Sequence, residues 1–174
     1  MKSAPLPADA AAQNKLRQTL ASLALQKPRS DTDSSTQPVE KKFKLDENSL
    51  GFRSGAFWYA NGEAVLTLTD ASQSHEIRCG TADWRLGQTA LPGTPPRIIA
   101  GALKPSRPNK VAAMAAFKGA NCEMTWRYYE TPHHDTVACE FDGDRVKISF
   151  LSSITKLRNG KDARPVLMGR LVKA

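Results

Sequence analysis

The hydrophobic period of the chain changes once along its length. Over residues 9–25 the apolar positions Leu16, Leu20 and Leu23 recur at helical spacing among good helix formers, which predicts one amphipathic helix. Pro28 closes it, because proline removes a backbone donor and disfavours helical geometry in the residue before it. Residues 29–38 (Arg-Ser-Asp-Thr-Asp-Ser-Ser-Thr-Gln-Pro) are small, polar and aperiodic, so a disordered linker is expected there. The division falls near residue 39, with helix and linker in 1–38 and one folded domain in 39–174. A lone helix of this length is marginal in water, so its leucine face needs a partner surface.

Beyond the linker the period is two. Ala64, Leu66 and Leu68 alternate with Glu63, Thr67 and Thr69; Cys122, Met124, Trp126 and Tyr128 alternate with Glu123, Thr125 and Arg127; Val146, Ile148 and Phe150 alternate with Arg145, Lys147 and Ser149. These are half-buried strands. Asn61-Gly62 follows Phe57-Trp58-Tyr59, and Asp142-Gly143 lies between Val137-Ala138-Cys139 and Val146. Each pair accepts positive φ at both centres of a tight hairpin turn. Residues 75–79, 83–86, 98–103, 111–117 and 166–172 read as further strands. The expected fold is mainly β: an antiparallel barrel of eight to ten strands or a barrel-like sandwich, preceded by the helix. Closure is favoured because it removes exposed edges.

Composition narrows the function classes. The 174 residues, 40 % hydrophobic and 24 % charged, suit one core and no second one. No apolar run approaches the roughly 20 residues that span a bilayer, so no membrane partner is expected. Residues 1–12 lack the apolar stretch of a secretion signal, so the expectation is either a cytoplasmic protein, the favoured reading, or a start cut from something longer. Cys79, Cys122 and Cys139 are odd in number and lack metal-finger spacing, and read as small core residues. The formal net charge of +8 includes five basic residues and no acid in 97–118, and six basic residues with Asp162 as the one acid in 156–173. Aromatics that would stack on bases are nearly missing there, since only Phe117 falls within either segment. A solvated basic surface is the plainer reading, and nucleic acid is not expected as a partner.

Three constellations invite catalytic or metal readings. Ser153-Ile154-Thr155-Lys156 matches a Ser-x-x-Lys nucleophile, and Tyr59-Ala60-Asn61 matches a Tyr-x-Asn. That chemistry needs the serine at a helix N-terminus with the lysine one turn on, and a Lys-Thr-Gly-like strand beside it. Ser153 instead follows a strand, Tyr59 and Asn61 overlap a turn, the order is reversed, and no Lys-Thr-Gly is present, so chance matching is expected. His133, His134 and Asp135 read as a connecting loop around Pro132, because neighbouring residues rarely converge on one ion and no nucleophile accompanies them. No catalytic residue, metal site or cofactor is assigned, and ligand-binding residues are left open.

The runs Trp126-Arg127-Tyr128-Tyr129-Glu130-Thr131-Pro132-His133-His134-Asp135-Thr136-Val137, Phe141-Asp142-Gly143-Asp144-Arg145-Val146 and Arg164-Pro165-Val166-Leu167-Met168-Gly169-Arg170 resemble the C-terminal accessory region of bacterial β-lactamase-related serine hydrolases. The opening Pro5-Leu6-Pro7-Ala8-Asp9-Ala10-Ala11-Ala12-Gln13 is similar to the helix that joins the catalytic domain to that region. The resemblance implies a lipocalin-like barrel and an upstream hydrolase domain as partner. It brings no catalytic residue onto this chain. On it, the expected function is a non-catalytic accessory domain that packs on the hydrolase and shapes access to its cleft. The alternative is a free-standing lipocalin-like carrier, whose partner would be a small apolar ligand. Inward-pointing Trp126, Tyr128, Phe141 and Phe150 would fill the interior, whereas an open apolar cavity would favour the carrier.

Overall fold

The computed structural model describes residues 9–28, 39–94, 108–155 and 160–172. Helix α1 spans Ala10–Ser22, and the Asp9 side chain caps it by accepting the Ala12 N–H at 3.0 Å. Such a cap satisfies one of the amide donors that a helix start leaves open. The chain turns extended at Leu23, so the helix stops short of the expected residue 25. Residues 29–38, read as a linker, lie outside the described residues, as does the strand expected at 98–103.

Ten strands follow among the described residues: β1 Val39–Leu45, β2 Ser54–Ala60, β3 Glu63–Thr69, β4 Ser74–Gly80, β5 Arg85–Thr89, β6 Asn109–Lys118, β7 Asn121–Tyr128, β8 His134–Asp142, β9 Arg145–Ser152 and β10 Leu167–Leu171. They form one sheet in the order β4-β3-β2-β1-β10-β9-β8-β7-β6-β5, and a β4–β6 pairing at Gly80 and Met114 closes nine of them into a barrel, with β5 as an extra strand beside β6. The expected barrel is therefore present, and sandwich packing is not. Closure is parallel where a wholly antiparallel sheet was expected. The chain reaches β6 from β4 through β5, so β4 and β6 run the same way.

Strand β1 was not foreseen. Its sequence Val-Glu-Lys-Lys-Phe-Lys-Leu places Lys41 on the inward face with Phe43 and Leu45, which hides the alternation behind a charge. Strand β5 begins at Arg85, later than residue 83, and most of its side chains are exposed.

Both expected hairpins form. At Asn61 and Gly62 φ is +52° and +76°, so both centres are left-handed as anticipated. The second hairpin departs from expectation: Asp142 pairs with Arg145, so the centres are Gly143 and Asp144, and only Gly143 has positive φ, at +56°. That is the turn form in which glycine is needed at the first centre alone.

The strands define two ends. The first end carries the β2–β3, β6–β7 and β8–β9 turns; the second carries the β3–β4 and β7–β8 turns and the long β9–β10 connection.

Candidate functional site

The middle of the barrel is filled by its own side chains. Trp126, Met124, Val137, Ile148 and Leu167 are fully covered, and Trp126 packs edge-on to Phe150 with ring centres 6.4 Å apart. Tyr128 and Phe150 are also buried, and Phe141 is half-buried against the core. Any chemistry directed at a ligand must therefore be sought at the ends.

The second end holds a buried polar cluster. Asp135 on β8 faces inward and accepts the Tyr128 hydroxyl at 2.7 Å and Nη1 of Arg164 at 2.7 Å, both on Oδ2. Arg164, in the connection 153–166, also grips Asp162 through two side-chain hydrogen bonds, Nε to Oδ1 at 2.9 Å and Nη2 to Oδ2 at 2.8 Å. This is the paired geometry in which guanidinium and carboxylate bind most strongly. The Ser152 N–H donates to Asp162 at 2.8 Å, and the guanidinium lies 4.7 Å from the Phe150 ring centre. Burial favours loss of the Arg164 charge, but the hydrogen bonds it donates to Asp162 and Asp135 outweigh this and hold the group more basic than usual. Burial also works to raise Asp162, and Arg164 overrides it, leaving that carboxyl below its ordinary range. Burial first, then the Asp135 charge, pushes the Tyr128 phenol well up. With its donors and acceptors turned on one another, the cluster straps the β9–β10 connection across the barrel end. Asp135 Oδ1 has no hydrogen-bond partner among the described residues.

The first end is different in kind. Tyr59, Phe57, Phe117 and Phe141 form a chain of ring contacts, with Tyr59 to Phe117 at 4.7 Å and Phe57 to Phe141 at 5.5 Å. Lys41 lies over Phe141, its Nζ 3.9 Å from that ring centre. Register puts Lys41 opposite Phe57, at an inward position of β1. No carboxylate pairs with Lys41 among the described residues. Partial burial lowers its pKa, since removing an ammonium from water disfavours its charged form. This is a partly exposed aromatic mouth whose Lys41 rests on a ring and has no carboxylate partner among the described residues.

No family model matches the chain, and no curated protein matches it. Among solved structures, a fatty acid-binding protein from brain tissue of Drosophila melanogaster, crystallised without citrate inside, aligns at 10 % identity over 78 % of this chain and 99 % of that chain, with a TM-score of 0.48.

The catalytic-looking matches fall apart in space. Ser153 lies in the turn after β9 at the second end, where its Oγ accepts the His134 N–H at 3.1 Å. Tyr59 and Asn61 lie at the first end, and Lys156 is outside the described residues. The loop reading of His134 and Asp135 is corrected: both belong to β8, and Asp135 is a fully buried inward residue. Proline and two histidines before it gave a turn-like local sequence, while its partner Arg164 is remote along the chain. The three cysteines are free and buried, as core residues were expected to be. Cys122 and Cys139 are directly opposed on β7 and β8. Among the described residues no group of histidine, cysteine, aspartate and glutamate is arranged to hold a metal.

Proposed function

We propose that the barrel is a small-ligand-binding module whose ligand seats in the mouth at the first end, against Tyr59, Phe117 and Phe141. The supporting observation is Lys41, an inward, half-buried cation that rests on an aromatic ring instead of a carboxylate. A cation held over a ring is only partly compensated for its lost hydration. An amphipathic anion would place its head at Lys41 and its apolar part on the rings. The filled centre favours a ligand held at the mouth over one swallowed whole. Titration with a fluorescent naphthalene sulfonate tests this. Saturable binding that Lys41→Ala and Phe141→Ala each weaken supports the reading, and binding indifferent to both changes overturns it.

A second reading follows the resemblance to accessory regions of β-lactamase-related serine hydrolases. Its support is helix α1, which has no buried residue and leaves Leu16, Leu20 and Leu23 exposed at 58 %, 56 % and 69 %. Lys27 ties the segment after the helix to Asp83 at 2.6 Å, so the helix is tethered near the barrel without packing its leucine face on it. On this reading an upstream hydrolase domain covers that face. Sequencing the reading frame upstream decides it: an in-frame hydrolase domain supports the accessory role, and an in-frame stop codon excludes it.

A further inference from the structure

The outward face of a barrel strand normally carries polar side chains, because water is its neighbour. Strand β10 and its flanks break this rule. The outward column reads Val166, Met168, Arg170, Val172, and the three aliphatic side chains are 49 %, 40 % and 58 % exposed. The N–H of Val172 donates to the Lys42 carbonyl at 2.8 Å, which carries the pairing with β1 past the end of the strand.

The same wall gathers cations. Arg170 is directly opposite Lys44 of β1 on one side and Arg145 of β9 on the other, and all three are exposed. Like charges directly opposed across strands are destabilising, so the row works against the fold and not for it. Neighbouring Lys42 and Lys147 are paired with Glu40 at 3.0 Å and Glu140 at 2.9 Å. Arg170 has only a loose, solvated approach to Asp144 at 3.7 Å. Lys44 and Arg145 have no carboxylate partner among the described residues.

We propose that this wall, formed by β9, β10 and β1, docks on the surface of an anionic lipid bilayer. An aliphatic ridge flanked by cations that are unpaired (Lys44, Arg145) or only loosely paired (Arg170) matches such a surface in both respects: the phosphates and acidic headgroups meet these three side chains, and Val166, Met168 and Val172 enter the boundary between headgroup and acyl chain. The other occupants match one respect only. A small anion leaves the aliphatic column in water. A second copy of the wall brings like charges together. A nucleic acid finds no aromatic side chain for stacking at the outward positions of these strands. No helix of the described residues is long and apolar enough to cross a membrane, and adsorption through a barrel wall does not need one.

Vesicle co-sedimentation tests the proposal, with phosphatidylcholine vesicles and with phosphatidylcholine vesicles containing phosphatidylserine. The expected result is binding to the anionic vesicles alone, weakened by salt. Combined K44Q, R145Q and R170Q should weaken it by roughly a hundredfold. Combined V166S, M168S and V172S should weaken it with the cations intact. Thermal melts of each variant establish that the barrel is folded, and the single changes Lys44→Gln and Arg145→Gln serve where a triple variant is not. Failure to bind anionic vesicles, binding unchanged by the cation variants, or binding unchanged by the aliphatic variant overturns the proposal. A wall that binds a single-stranded oligonucleotide in preference to the vesicles overturns it in favour of nucleic acid.

Discussion

Arg164 and Asp135 are 29 positions apart in sequence and meet at 2.7 Å, with side chains 4 % and 0 % exposed. One comes from the long β9–β10 connection and the other from the inner face of β8, so their bond ties a loop to the barrel interior. A buried pair of this kind need not add net stability over an apolar pair, because both charges lose their hydration. Breaking it is another matter.

Arg164→Met should therefore destabilise strongly, since it strands Asp135 and Asp162 together without a cation. The expected cost is about 3–5 kcal/mol, the usual penalty for one partner lost from a buried pair. Asp135→Asn should cost less, because Arg164 keeps Asp162 and the amide oxygen still accepts from Tyr128. Urea unfolding of the two variants checks the order. Equal and small effects would show that the connection is held by something other than this cluster.

Acid should loosen the same end. Asp162 is held below its ordinary range despite burial, because Arg164 donates to it, and Asp70 is held low chiefly by its hydrogen bond with His75 and then by the Ser72 and Gln73 amides. A carboxyl whose folded pKa is depressed contributes stability that is complete above its unfolded pKa of about 4, and that is lost as pH falls through the folded value. Stability should thus be flat with respect to these groups near neutrality and fall below about pH 4. Asp162→Asn and Asp70→Asn should each flatten that acid limb, as measured by urea unfolding at successive pH values. An unchanged slope in both variants contradicts the assignment.

The cysteines should be chemically silent in the folded protein. Burial first, then the charge of Glu123, pushes the Cys122 thiol up to about 12, and burial raises Cys79 and Cys139 as well. The reactive species is the thiolate, which is scarce at neutral pH and inaccessible here. A disulfide reagent such as Ellman's should find no thiol in the native protein and three in urea. Rapid reaction of a native thiol would mean that the first end of the barrel opens readily.

The legibility of this protein from sequence follows the range of its contacts. Strand β7 is plain to read, since Cys122, Met124, Trp126 and Tyr128 all face in and their neighbours face out. So is the hairpin at Asn61-Gly62, where two adjacent residues carry the whole signal. Strand β1 is concealed because Lys41 takes an inward position at the mouth, where a ring and partial exposure make a lysine tolerable. Asp135 is misread for a related reason: a carboxylate near histidines and a proline looks like a turn until Arg164 is brought to it by the fold. The row of Lys44, Arg170 and Arg145 is invisible in one dimension, since it is assembled by register from three separate segments.

Register also makes Gly55 a sensitive position. It sits directly opposite Phe43, and both face the interior, where the Phe43 ring occupies the space a side chain at residue 55 would need. A Cβ there would fall 2.6 Å from the ring and 2.5 Å from the Thr67 carbonyl oxygen, distances that real Cβ atoms do not show. In most strands alanine in place of glycine is favourable, because it restricts the unfolded chain. Here overpacking should win, and Gly55→Ala should lower stability by about 1–3 kcal/mol. Shrinking the ring tests the cause. Phe43→Leu removes core area and is itself destabilising, but if the ring clash dominates, Gly55→Ala should cost less in the Phe43→Leu background than in the native one. The Thr67 carbonyl belongs to the backbone of β3 and cannot withdraw in the same way, so part of the penalty should remain. A double-mutant cycle by urea unfolding reads this directly as a coupling between the two sites. Strict additivity would assign the whole penalty to the Thr67 carbonyl, and a stabilised Gly55→Ala would show that the two strands separate more easily than their pairing implies.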